Sequence, residues 1–173
     1  MLAQRGSSHR GVFVVLEPIL PWNDTFKVGH PGLDREHYLI VDLINTLGAS
    51  DEGDRGAQSA DIHGIRDAIS NHLDHEDRVL RLIAAQTSSE RSALAFVGAM
   101  SQALISEHIA QHARSRGQLD ALFGAAGKPA TAAEKALKLT EWFVTHAVKY
   151  DAHLKTLFQT IDMDCPQLLE TLG

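Results

Sequence analysis

The chain has 173 residues, 44% of them hydrophobic, with 16 Lys+Arg against 22 Asp+Glu and a net charge of -6. That length suits one domain around a single core, and the acidic balance disfavours nucleic acid or an anionic membrane as a partner. Cys165 is the only cysteine, so an intramolecular disulfide is excluded and a reducing compartment, the cytoplasm, is expected; no apolar run approaches a membrane span, and the run Gly11 to Leu16 is cut by Glu17 and Pro18 before it can act as a secretion signal.

Residues 1–20 form an N-terminal extension, either a flexible arm or a short packed segment. Residues 21–32, with Pro21, Gly29, Pro31 and Gly32, read as an ordered lead-in arm. A first helix is predicted over 33–47, stopping at Gly48 as a left-handed C-terminal cap. The polar, Gly-rich stretch 49–57 is a loop, and a second helix follows over 59–86. Thr87 and Glu90 have capping-box spacing and open a third helix running to Phe123, with a bend near Gly98 or Gly117. Gly124, Gly127, Lys128 and Pro129 break it. Thr131 and Glu134 repeat the capping box before a fourth helix, and residues 162–173 form a tail. No strand is indicated. Four helices with short connections predict an all-α, up-down-up-down antiparallel four-helix bundle over residues 21–161.

Each helix carries an apolar stripe in steps of three and four, and each stripe is interrupted by groups that bind metals. The first runs Leu33, His37, Ile40, Ile44, Leu47. The second runs Ile62, Ile65, Ile69, His72, Glu76, Leu80, Ile83. The third runs Leu94, Val97, Ser101, Leu104, His108, His112, Ser115, Leu119, Leu122. The fourth runs Leu139, Phe143, His146, Tyr150, Leu154, Leu157, Ile161, with Asp151 one residue round from the stripe's centre. Buried ionisable groups are costly unless they are paired or coordinate a metal. Residues four apart share a helical face, so His72 with Glu76, and His108 with His112, converge. His146 and Asp151 are five apart, about 140° on an ideal helix; either Asp151 reaches sideways or the helix is locally distorted. His37 and Asp42 have the same spacing, but Asp42 lies off the stripe and the match is accidental. Five imidazoles and two carboxylates suit iron, manganese or zinc.

This ordered set resembles the hemerythrin family, the HHE cation-binding domain, and most of all its bacterial single-domain members. The resemblance covers roughly Trp22 to Phe158: Trp22-Asn23 through Val28-Gly29-His30, then Leu33-Asp34-Arg35-Glu36-His37, Ile44-Asn45 with Leu47, the HxxxE and HxxxH pairs, and Trp142-Phe143-Val144-Thr145-His146 followed by Asp151. It implies two iron ions. His108, His112 and His146 would hold one, His37 and His72 the other, and Glu76, Asp151 and an oxo or hydroxo group would bridge them. The two-histidine iron keeps an open position for dioxygen, nitric oxide or a small anion such as azide. By the same resemblance Leu73, Trp142, Phe143 and Ala147 are the oxygen-pocket candidates. Leu73 and Ala147 are smaller than the family's usual residues, so a roomier pocket is expected.

The expected function is reversible dioxygen binding, for transport, storage or buffering. Alternatives are a sensor of oxygen, nitric oxide or redox state acting through a partner protein, an enzyme consuming peroxide or nitric oxide, and iron homeostasis. Among the other histidines, His75 reads as solvent-facing or as a group behind the metal ligands, His153 as a core or bundle-end residue or an alternative ligand, and His9, His30 and His63 as arm, loop and helix start. Trp22, Trp142 and Tyr150 read as core aromatics, Tyr150 with an optional hydrogen bond toward the site.

Overall fold

Five helices and two short helical turns account for all the regular structure that the computed structural model describes, which covers residues 17–50, 53–87, 95–124 and 130–164. They are a 3-10 turn at Asp24–Phe26, α1 (Pro31–Ala49), α2 (Arg55–Thr87), α3 (Ala95–Phe123), α4 (Ala132–Thr145), a π-helical turn at His146–Tyr150, and α5 (Ala152–Asp164). There is no strand among the described residues, and no helix among them is long and apolar enough to cross a membrane.

The helix starts follow from local chemistry. Helix α1 begins two residues earlier than predicted because His30 caps it: the Nδ1 of His30 accepts from the Leu33 N–H at 3.3 Å, and Pro31 at the first helical position gives up a donor that has no partner there. Asp54 accepts from the Ala57 N–H at 2.9 Å and starts α2. At α4 the predicted capping box is present in both directions, with Glu134 N–H to Thr131 Oγ1 at 3.1 Å and Thr131 N–H to Glu134 Oε2 at 2.9 Å. The box expected from Thr87 and Glu90 reaches outside the described residues, as do residues 1–16 and Cys165.

Gly48 corrects a prediction. It is not a left-handed cap, since Gly29 is the only described residue with positive φ, and α1 runs through it to Ala49. Its lack of a side chain serves packing instead: a Cβ there would lie 2.2 Å from Ile19 Cδ1. Leu20, buried next to it, exchanges two backbone hydrogen bonds with the Asn45 side chain at 2.8 Å each. The end of the predicted N-terminal extension is therefore docked on α1. The predicted tail likewise starts later than expected, because α5 continues to Asp164.

Helix α1 packs against α2 and α4, and α2 packs against α3. The buried apolar side chains fall into two clusters, one containing Ile40, Ile44, Ile65, Ile69, Leu119, Leu139 and Phe143, the other containing Leu33, Leu80, Ile83, Ile105, Leu154 and Phe158. Along α1 the chain passes from the second cluster to the first, along α2 from first to second, along α3 back again, and along α4 to α5 from first to second. At each crossing it places buried polar residues: His37; His72 and Glu76; His108 and His112; His146 and Asp151. In α3 the stripe departs from the predicted one, because Ile105 is buried while Leu104 is half exposed.

Candidate metal centre

The last crossing is where the local helix geometry matters most. The Asp151 N–H donates to the His146 carbonyl at 3.1 Å, an i to i+5 bond. This π turn is the local distortion that the HxxxxD spacing left open. One extra residue in the turn brings Asp151 to where an i+4 residue would stand on an α-helix, and such single-turn bulges concentrate at functional sites. The inward positions change with it, although Leu154 is buried as predicted. Asp151 is wholly buried, Phe158 is buried where Leu157 was predicted, and Tyr150 moves out to a half-buried rim.

All seven predicted ligands are buried, and their metal-binding atoms face one another. Glu76 Oε2 lies 3.5 Å from His72 Nε2, 3.3 Å from His112 Nε2 and 3.6 Å from His146 Nε2, while Glu76 Oε1 lies 3.5 Å from His108 Nε2. Asp151 Oδ1 is 3.4 Å from both His108 Nε2 and His146 Nε2, and Asp151 Oδ2 is 3.3 Å from His37 Nε2. His37 Nε2 and His72 Nε2 are 3.1 Å apart. Two ligand atoms at about 2.1 Å from a shared cation and at right to tetrahedral angles stand about 3.0–3.4 Å apart, so these separations suit coordination better than hydrogen bonding.

Two overlapping groups gather their ligand atoms within 4.8 Å of one another, Glu76 with His108, His112 and His146, and His72 with Glu76, His146 and Asp151. This buried set of imidazoles and carboxylates can hold a metal ion. Among the described residues, both oxygens of Glu76 and of Asp151, and the Nε2 atoms of His108, His112 and His146, are buried with no hydrogen-bond partner, as the ligand atoms of an ion or the partners of buried water would be.

The groups behind the imidazoles fix their orientation. His37 Nδ1 faces the Phe26 carbonyl at 2.6 Å, and a carbonyl only accepts, so Nδ1 carries a proton and Nε2 is the nitrogen turned to the site. His72 Nδ1 faces Glu36 Oε2 at 3.1 Å and His112 Nδ1 faces Asp77 Oδ1 at 2.7 Å. Outer partners of this kind set the tautomer of metal-bound histidines and raise their basicity. Glu36 also binds His75 Nδ1 at 2.7 Å, and Arg116 binds Asp74 at 2.6 Å and Asp77 at 3.4 Å. Glu36 and Asp77 carried no sequence signal of their own, since each merely adjoins a ligand in the chain and lies off the stripe. His75 takes the role behind the ligands. His30, predicted in a loop, is a buried helix cap against His75 and Phe158. His153 is exposed.

The contacts within the site move the titration of its members in different directions. Burial opposes charge on His37, but the contacts with Asp151 and Glu76 outweigh it and lift its pKa to about 9. His108 is raised against its burial by Glu76. Burial and the neighbouring His37 lower His72. Glu76 resists its own burial and is driven well below the carboxylate range by His108, His112 and His146. Glu36 is lowered, despite burial, by His72 and His75.

The predicted oxygen-pocket residues separate. Leu73, Phe143 and Ala147 are fully enclosed in one cluster with Phe26, Ile40 and Ile69. Phe143 packs edge-on against His37 with ring centres 5.5 Å apart. Trp142 instead stacks on His146, 5.1 Å between centres and 12° between planes, and lines a cleft of about 500 Å³ that borders the site. No family model, no curated protein and no solved structure matches the chain.

Proposed function

We propose that this chain is a non-heme di-iron protein of the hemerythrin type that binds dioxygen reversibly. The observation that carries the reading is the seven-residue set itself, five imidazoles and two carboxylates buried between two apolar clusters, with the carboxylate oxygens of Glu76 and Asp151 shared among imidazoles from different helices. In this reading His108, His112 and His146 would hold one iron and His37 and His72 the other, with Glu76 and Asp151 shared between them, and the pair would supply two-electron redox chemistry toward dioxygen. The residues of the chain do the rest: Phe26, Glu36 and Asp77 aim the imidazoles, and Phe143, Leu73 and Ala147 exclude water beside His37 and His72.

An antiparallel up-down-up-down bundle is the arrangement that best accounts for the contacts. Ser50 pairs with Asp61 and Glu36 with His75, while Arg66 pairs with Asp120, Asp77 with His112 and the Ala84 carbonyl with Gln102. In both of these pairs, α1 with α2 and α2 with α3, one number rises as the other falls. The alternating passage between the two apolar clusters supports the same arrangement.

A sensor reading has one observation in its favour: the lead-in arm touches the site directly, through the Phe26 carbonyl on His37. Anaerobic loading with ferrous iron, a metal count and an optical titration with oxygen and then azide test the main reading. Two irons per chain and a reversible oxygen-dependent band are expected; one metal or none overturns it. A change in proteolysis of residues 1–26 on oxygenation would favour the sensor.

A further inference from the structure

The seven residues of the centre are not equally covered. His37, His72, Glu76, His112 and Asp151 are 0% exposed and His146 1%, whereas His108 retains 5%. His108 borders a small pocket between α3 and α5, which Leu104, Ile105, Leu154 and Leu157 also line together with the exposed His153. Its volume of about 40 Å³ leaves room for a few water-sized groups but not for an ion with its full shell of water. The imidazoles also differ in how firmly they are held. Acceptors in the chain stand behind Nδ1 of His37, His72 and His112, and Trp142 stacks on His146. His108 has neither. Among the described residues no hydrogen bond ties its Nδ1, and its ring contacts are with His112 and His146, 4.6 and 6.0 Å between centres. The least covered imidazole of the centre is thus also the least anchored.

We propose that this pocket is the port through which a divalent transition-metal cation enters the buried centre, with His153 as the receiving group and His108 as the hinged ligand that admits it. The port rests on the metal reading above. A cation cannot pass an apolar lip by shedding water alone, because losing hydration without a replacement ligand is prohibitive. The imidazole of His153, a ligand type suited to such ions, replaces part of the water shell at the mouth, before Leu104 and Leu157 are passed. His108 then turns outward, takes the cation and swings back to where its Nε2 lies 3.5 Å from Glu76 Oε1 and 3.4 Å from Asp151 Oδ1. The other four imidazoles, held from behind or by Trp142, keep the shape of the site meanwhile. The larger cleft between α3 and α4 is the competing route, but it ends on His146, which Trp142 covers.

Cobaltous ion is the probe, because its visible absorption reports coordination. The chelator-stripped full chain is mixed with it by stopped flow, and release is followed into excess chelator. His153→Ala, at an exposed position, and Leu104→Trp, at a half-exposed one, should each slow loading and release alike by roughly tenfold, about 1.4 kcal/mol in the barrier. Affinity and the final spectrum should match those of the unsubstituted protein. Gln118→Trp, at an exposed position lining the α3–α4 cleft, should leave both rates unchanged. Unchanged rates in either pocket variant, or slowing by Gln118→Trp, overturn the port and leave the metal reading intact. Lower affinity or an altered spectrum in His153→Ala would make His153 a ligand of the finished site, which also overturns the port. If the unsubstituted chain takes up no cobalt, the metal reading falls and the port falls with it.

Discussion

If the buried site holds a cation, stripping it should destabilise this protein far more than removing a surface ion would. Seven atoms aimed into the site have no hydrogen-bond partner: both oxygens of Glu76, both of Asp151, and Nε2 of His108, His112 and His146. Each buried polar group left unsatisfied costs about 1–3 kcal/mol. The gross penalty in the metal-free chain is thus on the order of 10 kcal/mol, as large as the net stability of an ordinary domain. Protons on His37 and His108, both raised in pKa, recover part of it. Taking the remainder as about 4 kcal/mol, which is what a cation supplies at about 1,000 times its dissociation constant, the melting temperature should fall by roughly 8–16 °C on chelation. Circular dichroism melts of the ferrous-loaded and chelated protein, prepared anaerobically with the metal content of each confirmed, make the comparison. Melting temperatures within about 2 °C of each other would refute the reasoning, because the unpartnered carboxylates would then be satisfied without a cation.

Three other predictions follow from the same geometry. Asp77→Asn and Glu36→Gln should each weaken metal binding roughly 10–100-fold with little change in helix content, read by competition with a chromophoric chelator; unchanged affinity would reduce both carboxylates to surface groups. Deleting the half-exposed Val148 should turn the π turn into an ordinary α-helical one, with the aspartate at i+4 and α5 in the same register, so that folding and metal binding survive; loss of both would show that the turn is more than one inserted residue. The chelated protein should lose stability with rising pH. His37 keeps its proton in the folded state up to about 9 against an ordinary 6.5, so its contribution is complete below about 6.5 and is lost as the pH climbs through 9, about 3 kcal/mol in all. Urea titrations at both ends of that window measure it, and a chelated protein equally stable at both would contradict the assignment.

Much of the site could be read without coordinates. His37, His72, Glu76, His108 and His112 all interrupt apolar stripes at helical spacing and all are buried, because amphipathic periodicity decides which face of a helix turns inward and a polar residue on that face must follow it. The capping box at Thr131 and Glu134 was equally plain, being a contact between residues three apart. Local pattern carried these features since each depends on neighbours within one or two turns.

What the pattern did not carry depends on contacts between distant segments. Gly48 has the composition of a helix stop, yet it is a helical residue kept small by Ile19, nearly thirty positions away. Leu104 and Ile105 fit two apolar stripes about equally well, and packing of α3 chose Ile105. Tyr150 and Asp151 compete for one inward position, and periodicity alone favours the tyrosine; the π turn reverses that choice because the cluster of imidazoles from the other helices draws the carboxylate inward. Glu36 and Asp77 look like solvated charges until α1 meets α2 and α2 meets α3, which sets each against the back of a histidine on its neighbour. The sequence by itself determined which side chains point to the interior, through the period of the helix. Only the tertiary structure decided which of them meet and what stands behind each one, because those choices are made between segments whose separation along the chain leaves no periodic trace.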